Sequence, residues 1–442
     1  MTSEIRNDLS PPALSPEERR LCRIAAWRLI PLLGLAYFFN YLDRTSVGYA
    51  ALQMRDQLGL TAFQFGLGAG IMFFGYCLCE VPSNLAMYRY GARVWLARIM
   101  ISWGLVATLM AVVVGPWSFY TLRLLLGIAE AGFFPGVIFY LSLWFPPQFR
   151  TRVLAWFTIA TPVSFLVGGP LSTSLLQMHG LAGLAGWQWM FVIEGLPAMV
   201  LGLFTLRWLA DRPENAHWMS DAEKHTYRKM LATEAGHHDK SHHFRAVLRD
   251  PRVWLLSAIT FSYTSGTYGI GIWLPQMLKS QGIEMGLIGW LAAIPYFFST
   301  LGLIFWARAV DRGGRAGVHL IAALLLAATA LMVSLYLTSL VPALIGITVA
   351  LVGTISAKTI FFTLPGTFLR GQAAAGGIAL INSIGAFGGF AGPFMMGIAR
   401  EMTDSFTAGM MLMGGVILFA AGLALVLLLF MRQRESQLAT AQ

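Results

Sequence analysis

The sequence predicts an all-α membrane protein, with twelve transmembrane helices in two pseudo-symmetric six-helix bundles. Three observations carry that expectation: an apolar composition, a series of uncharged runs about 20 residues long, and motifs repeated at one fixed offset. Hydrophobic residues make up 57% of the 442-residue chain and charged residues 12%, against roughly 25% charged in a soluble domain. Mean hydropathy is +0.64. Runs of this kind must close their backbone hydrogen bonds internally, because lipid offers no partners, and the helix does so.

Read in order, the first six spans fall at about 27–50, 62–86, 94–114, 117–143, 152–177 and 188–209. The second six fall at about 253–278, 286–308, 317–338, 341–367, 373–399 and 406–431. The implied organisation is a segment 1–26, a bundle 27–210, a polar linker 211–251, a second bundle 252–431 and a tail 432–442. Basic residues before span one lack a small-residue cleavage site after the apolar run, so this run reads as a retained span. The linker carries Gly-His-His-Asp-Lys-Ser-His-His, read as a flexible tether and not as a metal site. Cys22, Cys77 and Cys79 are too few for a disulfide framework and read as packing residues.

The two halves repeat. Tyr88-Arg89-Tyr90-Gly91 is echoed by Asp311-Arg312-Gly313-Gly314, and Gly169-Pro170 by Gly392-Pro393, at one offset in numbering (311 − 88 = 392 − 169 = 223). The same offset carries Trp27, near the start of span one, to Asp250, where span seven begins. Six spans per half give both halves one orientation, as in parallel-repeat transporters with a midplane site between the halves.

The formal net charge of +10 invites a nucleic-acid reading, which its distribution excludes. Arg19, Arg20, Arg23, Arg28, Arg89, Arg93, Arg98, Arg150, Arg152, Arg308, Arg312 and Arg315 cluster at one set of span ends, while the opposite loops hold little beyond Arg55, Lys279 and Arg400. This positive-inside pattern puts both termini in the cytoplasm. The expected setting is a bacterial inner membrane, with the lipid bilayer as partner and the chain as a monomer.

Ionisable residues within spans are costly and read as functional. Asp43 and Arg44 lie in span one; Arg123 and Glu130 lie in span four, seven residues apart on one helical face. Two acids and two arginines can interleave across a cavity between these spans. A carboxylate whose arginine is drawn to a substrate anion takes a proton more readily, and arginine can clamp a carboxylate with two parallel bonds. Such a set suits the coupled movement of protons and a small organic anion. Lys358 on span ten, with no acid near it in sequence, reads as facing the same cavity and touching either substrate or Glu130. Asn382, Tyr37, Tyr41 and Tyr268 are further candidate ligand contacts. Glu80 reads as a structural or gating group and Glu194 as a packing or interfacial one. No metal, nucleophile or cofactor constellation suggests an enzyme.

These motifs resemble the major facilitator superfamily and, within it, the anion:cation symporters of bacterial organic-acid permeases. The resemblance rests on Asn40-Tyr41-Leu42-Asp43-Arg44, Val81-Pro82-Ser83-Asn84, Gly127-Ile128-Ala129-Glu130-Ala131-Gly132-Phe133-Phe134-Pro135-Gly136, Ala293-Ile294-Pro295-Tyr296 and Ala379-Leu380-Ile381-Asn382-Ser383-Ile384-Gly385. The superfamily's inter-span loop pattern is kept as Asp311, Arg312, Gly314 and Arg315, but Tyr88 stands where the first-half aspartate would be. The resemblance implies proton coupling through Asp43 and Glu130, anion recognition by Arg44 with Arg123 and Asn382, and gating by Arg89, Asp311 and Arg312. It also implies import of an aromatic, hydroxy or sugar acid. Lys358 lies outside the family pattern. A drug/proton antiporter and a non-transporting membrane sensor are the competing readings.

Overall fold

A computed structural model describes residues 14–232, 248–337, 339–365 and 371–440; the side chains of 311, 371–376, 432 and 434–440 are excluded. The His-rich patch at 236–243 lies outside the described residues. The first half comprises α1 (Pro16–Leu58), α2 (Ala62–Tyr90), α3 (Ala92–Leu109), α4 (Pro116–Glu130), α5 (Phe133–Trp144), α6 (Pro147–Thr158), α7 (Ala160–Leu176) and α8 (Gly186–Trp208). A short α9 (Asp221–Ala232) follows, and then α10 (Pro251–Ser280), α11 (Met285–Gly313), α12 (Ala316–Ser334), α13 (Leu340–Phe361), α14 (Gly371–Thr403) and α15 (Phe406–Thr440). With α4/α5 and α6/α7 each counted as one span, eleven helices among the described residues are long and apolar enough to cross a membrane.

The remaining long helix, α10, explains why the count stops at eleven. It has 30 residues, enough to span, but carries Ser257, Thr260, Ser262, Ser265 and Thr267. Each of these hydroxyls donates to the carbonyl four residues back, at 2.8–2.9 Å. Their polarity is hidden within the helix, so α10 packs in the bundle despite lower hydropathy.

The repeat seen in sequence is a repeat of helices. Moved along by the repeat offset, Ala62–Tyr90 coincides with Met285–Gly313. Across the halves, α2 lies against α14 and α7 against α11. Small residues make both contacts close: a Cβ on Gly66 would meet Pro393 O at 2.6 Å, and one on Gly169 would run into Gly289 O. Gly66 and Gly289 are themselves related by the repeat offset, as are Gly169 and Gly392. The two interfaces are copies of each other.

The halves meet firmly at the end opposite the termini. There Arg55 donates to Gln276 at 2.6 Å, Lys279 pairs with Asp56 at 3.1 Å and donates to Leu52 O at 2.5 Å, and Phe63 N–H donates to Glu401 at 3.2 Å. Farther in, Phe73 meets Tyr268 edge-on and Phe165 stacks on Tyr296. At the terminus end Leu85 and Tyr88 of α2 are 69% and 81% exposed, and Arg89 and Arg312 are exposed as well. Among the described residues, the charged and polar bonds between the halves gather on the side of the short loops.

The expected flexible linker is ordered over its first part. Tyr227 on α9 is fully buried against Trp144, and Met230 receives the Cys22 thiol at 3.8 Å. Burying these side chains against α1 and α5 outweighs the polarity of the rest of the segment.

Candidate functional site

The site begins with a break in the fourth span. The expectation of one continuous helix over 117–143 is corrected here, since α4 stops at Glu130 and α5 starts at Phe133. Pro135 is the cause. It has no N–H to give the Ala131 carbonyl, and its ring would crowd that carbonyl in a continued helix. Ser83 supplies the missing donor instead, its hydroxyl giving a 2.6 Å bond to Ala131 O. Gly132 turns the chain at φ +86°, where a Cβ would also come within 2.5 Å of the Ser83 oxygen. Glu130 therefore sits at the carbonyl end of a half-helix, a place that favours a nearby cation.

Arg44 is that cation. Its Nε and Nη2 both donate to Glu130 Oε2, at 2.9 and 2.8 Å. Its guanidinium carbon lies 4.9 Å from the centre of the Tyr76 ring and 5.6 Å from that of Tyr41. Tyr268 and Lys358 of the second half are its electrostatic neighbours. Glu130 is fully buried and its second oxygen has no partner among the described residues.

Asp43, next to Arg44 in sequence, is 1% exposed, with Glu130, Arg123 and Arg44 as its electrostatic neighbours. Neither of its oxygens finds a hydrogen-bond donor among the described residues. Arg123 is its electrostatic counterweight. That arginine is fully buried and donates to Ala69 O at 3.1 Å and Gly68 O at 3.4 Å, with Nη1 unpartnered among the described residues. Two acids and two arginines thus share one low-dielectric wall, one pair bonded directly and the other facing without a direct bond.

The other candidates divide. Lys358 is exposed, with Tyr41, Tyr268 and Arg44 as its electrostatic neighbours. It lies in the last turn of α13, because that helix ends at Phe361 instead of continuing to the expected 367. Glu130 is bonded by Arg44. Tyr37 is packed among rings, stacked on Phe157 and Phe134 and edge-on to Tyr41. Asn382 is half-buried on α14, beside Ser383. Arg89 sits over the ring of Tyr90, Arg312 is exposed, and the Asp311 side chain lies outside the described residues.

Two acids are placed more centrally than their sequence reading implied. Glu80 on α2 is 8% exposed, has Arg44 as an electrostatic neighbour and accepts from Ser383 of α14 at 3.5 Å. It shares a helical face with Tyr76, four residues earlier, and that spacing was its legible signal. Glu194 on α8 is 2% exposed, so it is not interfacial. Ser172 donates to one of its oxygens at 2.9 Å and Ser46 closely contacts the other. Ser46 also donates to Leu42 O at 2.7 Å and lies one turn from Asp43. The carboxyl therefore ties α1, α7 and α8 together just behind the Asp43 wall. Its only signal in sequence was an acid inside an apolar run.

The architecture is that of a polytopic membrane transporter, built from two helical bundles with a charged wall between them. The chain belongs to the Major Facilitator Superfamily, which matches residues 33–393. It is 47% identical over 411 residues to an Agrobacterium vitis protein to which tartrate transport has been ascribed, covering 93% of this chain and 92% of that one. It is 40% identical over 428 residues to a quinolone resistance transporter of Acinetobacter baumannii, covering 96% and 99%. Among solved structures it resembles a bacterial homologue of the human lysosomal transporter Spinster in an inward-facing, occupied conformation. That likeness has a TM-score of 0.74 at 16% identity over 94% of this chain and 97% of the other, and is one of fold.

Proposed function

We propose that this protein is a proton-coupled symporter that imports a small organic anion by alternating access across a bacterial inner membrane, with both termini cytoplasmic. The observation that carries the reading is the Arg44–Glu130 pair beside the buried, unpartnered Asp43. An ionised carboxylate is costly to bury alone, so a proton can ride on Asp43, and another on Glu130 once Arg44 turns to a substrate carboxylate. Anion and proton affinities are then linked, each raising the other. In this reading the terminus side is the cytoplasmic mouth, and Asp56–Lys279 and Arg55–Gln276 close the periplasmic one.

The substrate class follows from the opposite wall. Lys358 has Tyr41, Tyr268 and Arg44 as electrostatic neighbours. Two cations flanking one cavity suit a hydroxy acid or diacid better than a simple monocarboxylate, and the tartrate-associated relative fits that chemistry. Lys358→Met should erase the preference for a diacid over its matched monoacid by about 1–3 kcal/mol, the range for a hydrogen bond to a charged group, while leaving uptake proton-driven. An unchanged mono- to diacid affinity ratio in calorimetry removes Lys358 from the site.

The quinolone resistance relative favours a second reading, a drug/proton antiporter. Proteoliposomes separate the two. Under symport, adding the anion outside acidifies the lumen; under antiport, a drug inside drives protons in the opposite sense to its own flux. Absence of any ligand-stimulated proton movement removes both.

A further inference from the structure

Away from the transport wall, a cavity of about 670 Å³ opens at the terminus end of the first half, between α1, α3, α8 and the segment leading into α9. Arg28, Arg93, Arg207 and Lys224 line it, against Asp211 and Glu214. The acids are already engaged. Asp211 accepts from the Arg93 backbone N–H at 2.8 Å and faces its guanidinium at 3.8 Å, and Glu214 faces Arg228 at 4.0 Å. Arg28 and Arg207 have no carboxylate partner among the described residues. Arg28 is instead held between two indoles, 5.2 Å from the centre of the Trp218 ring and 5.9 Å from that of Trp208. Its charge lies against aromatic rings and has no carboxylate salt-bridge partner among the described residues.

The surroundings indicate which anion fits. On α8, Val200, Leu203, Phe204 and Trp208 are 62%, 60%, 48% and 49% exposed. Their spacing puts them on one face with Arg207, which caps the stripe where it meets the cavity. An exposed apolar stripe on a membrane helix faces acyl chains, and basic pockets at span ends suit phosphate headgroups. A free phosphate would use the arginines but not the stripe.

We propose that this cavity binds the phosphate headgroup of an anionic phospholipid, with Arg28 and Arg207 as its principal partners and the acyl chains lying along Val200, Leu203, Phe204 and Trp208. The site is independent of the substrate reading above.

Thermal unfolding of the full chain in detergent, titrated with phosphatidylglycerol, phosphatidylcholine or inorganic phosphate, tests it. Phosphatidylglycerol should stabilise the wild type at concentrations at least about tenfold below those phosphatidylcholine requires, a gap of ~1.4 kcal/mol. Arg28→Gln/Arg207→Gln should lose that selectivity. The control is Arg308→Gln/Arg315→Gln, which removes two exposed charges at the same end of the molecule and should keep it. Arg207→Gln alone serves if the double variant melts early in phosphatidylcholine, and should show a partial loss. Equal protection by inorganic phosphate would overturn the lipid as the source of the anion. Retained selectivity in the variants, or equal loss in the control, would overturn the site.

Discussion

The two halves share one scaffold but differ sharply in what they line it with. The first half places Asp43, Arg44, Glu80, Arg123, Glu130 and Glu194 inside the bundle. At the repeat offset, the matching positions hold Gly266, Thr267, Leu303, Gly346, Gly353 and Ile417. Where Glu194 meets Ser46 with Asp43 as its electrostatic neighbour in the first half, a Cβ on Gly266 would meet the Ile417 side chain at 2.6 Å in the second. The glycines that let the halves approach are kept on both sides, as Gly66 with Gly289 and Gly169 with Gly392. Packing obeys the repeat because both interfaces must close in the same way. Chemistry does not, and a second set of buried charges would carry its own desolvation cost.

The strongest test of this asymmetry removes the charges from one half. Asp43→Asn and Glu130→Gln should each reduce proton-driven uptake in proteoliposomes to background, with counterflow exchange surviving in at least one of them. Thr267→Val, at the counterpart of Arg44, should leave uptake within about twofold, since its hydroxyl is already bonded to the Tyr263 carbonyl. Uptake that persists unchanged in both acid variants, or that collapses in Thr267→Val, breaks the comparison.

A smaller but still large effect is expected at Arg44. Arg44→Lys should weaken anion binding by roughly 10–100-fold, equivalent to about 1.5–3 kcal/mol for hydrogen bonds to a charged group. An ammonium cannot make two parallel bonds to one carboxylate. Calorimetry giving wild-type affinity would show that Arg44 only staples α1 to α4.

The break after Glu130 is also one-sided. The second half continues as helix through Gly353, Thr354 and Ile355 to Phe361. Gly132→Ala should destabilise the protein by about 1–2 kcal/mol from the left-handed backbone alone, and more from the clash with Ser83. Ser83→Ala should cost about 1–3 kcal/mol by orphaning the Ala131 carbonyl. Ile355→Ala, at the counterpart of Gly132, would lower stability only through lost packing. Unfolding midpoints that rank Ile355→Ala as the worst of the three would sink the account of the break.

The mildest effect should come from the closed end. Asp56 and Lys279 are themselves related by the repeat offset, so this ion pair joins equivalent positions across the pseudo-two-fold. Both side chains are well exposed, and such pairs contribute about 0–1 kcal/mol. Asp56→Asn should raise labelling of a cysteine placed at the sealed mouth by less than about fivefold, and Asp56→Lys/Lys279→Asp should restore the wild-type rate. A large, unrescued increase would mean that the seal rests on more than this pair.

Much of the fold was legible because lipid leaves few choices. Apolar runs had to be helices, and motifs far apart that share a single offset had to be a repeat. The acids and arginines on spans one and four stood out because charge inside such runs is expensive. Which partners Glu80 and Glu194 would find was not legible, because those partners are distant in sequence. Glu80 accepts from a serine 303 positions away, and Glu194 is held by serines 22 and 148 positions away. The C-terminal end of α13 and the order of α9 were misjudged because hydropathy cannot see what a side chain will pack against.

By itself, then, the sequence determined the class of protein, the order of its helices, their two-fold repetition and the confinement of buried acids to the first half. All of these follow from the cost of exposing backbone or charge to hydrocarbon, a cost incurred residue by residue. Only the tertiary structure decided that Arg44 would bond Glu130, that Asp43 would have no hydrogen-bond partner among the described residues, that Ser83 would take over the Ala131 carbonyl, and that the halves would bond across the short-loop end. Those outcomes depend on which of several reachable donors, acceptors and glycine contacts come within about 3 Å when the helices pack, and that is a property of the packed bundle, not of any one run of residues.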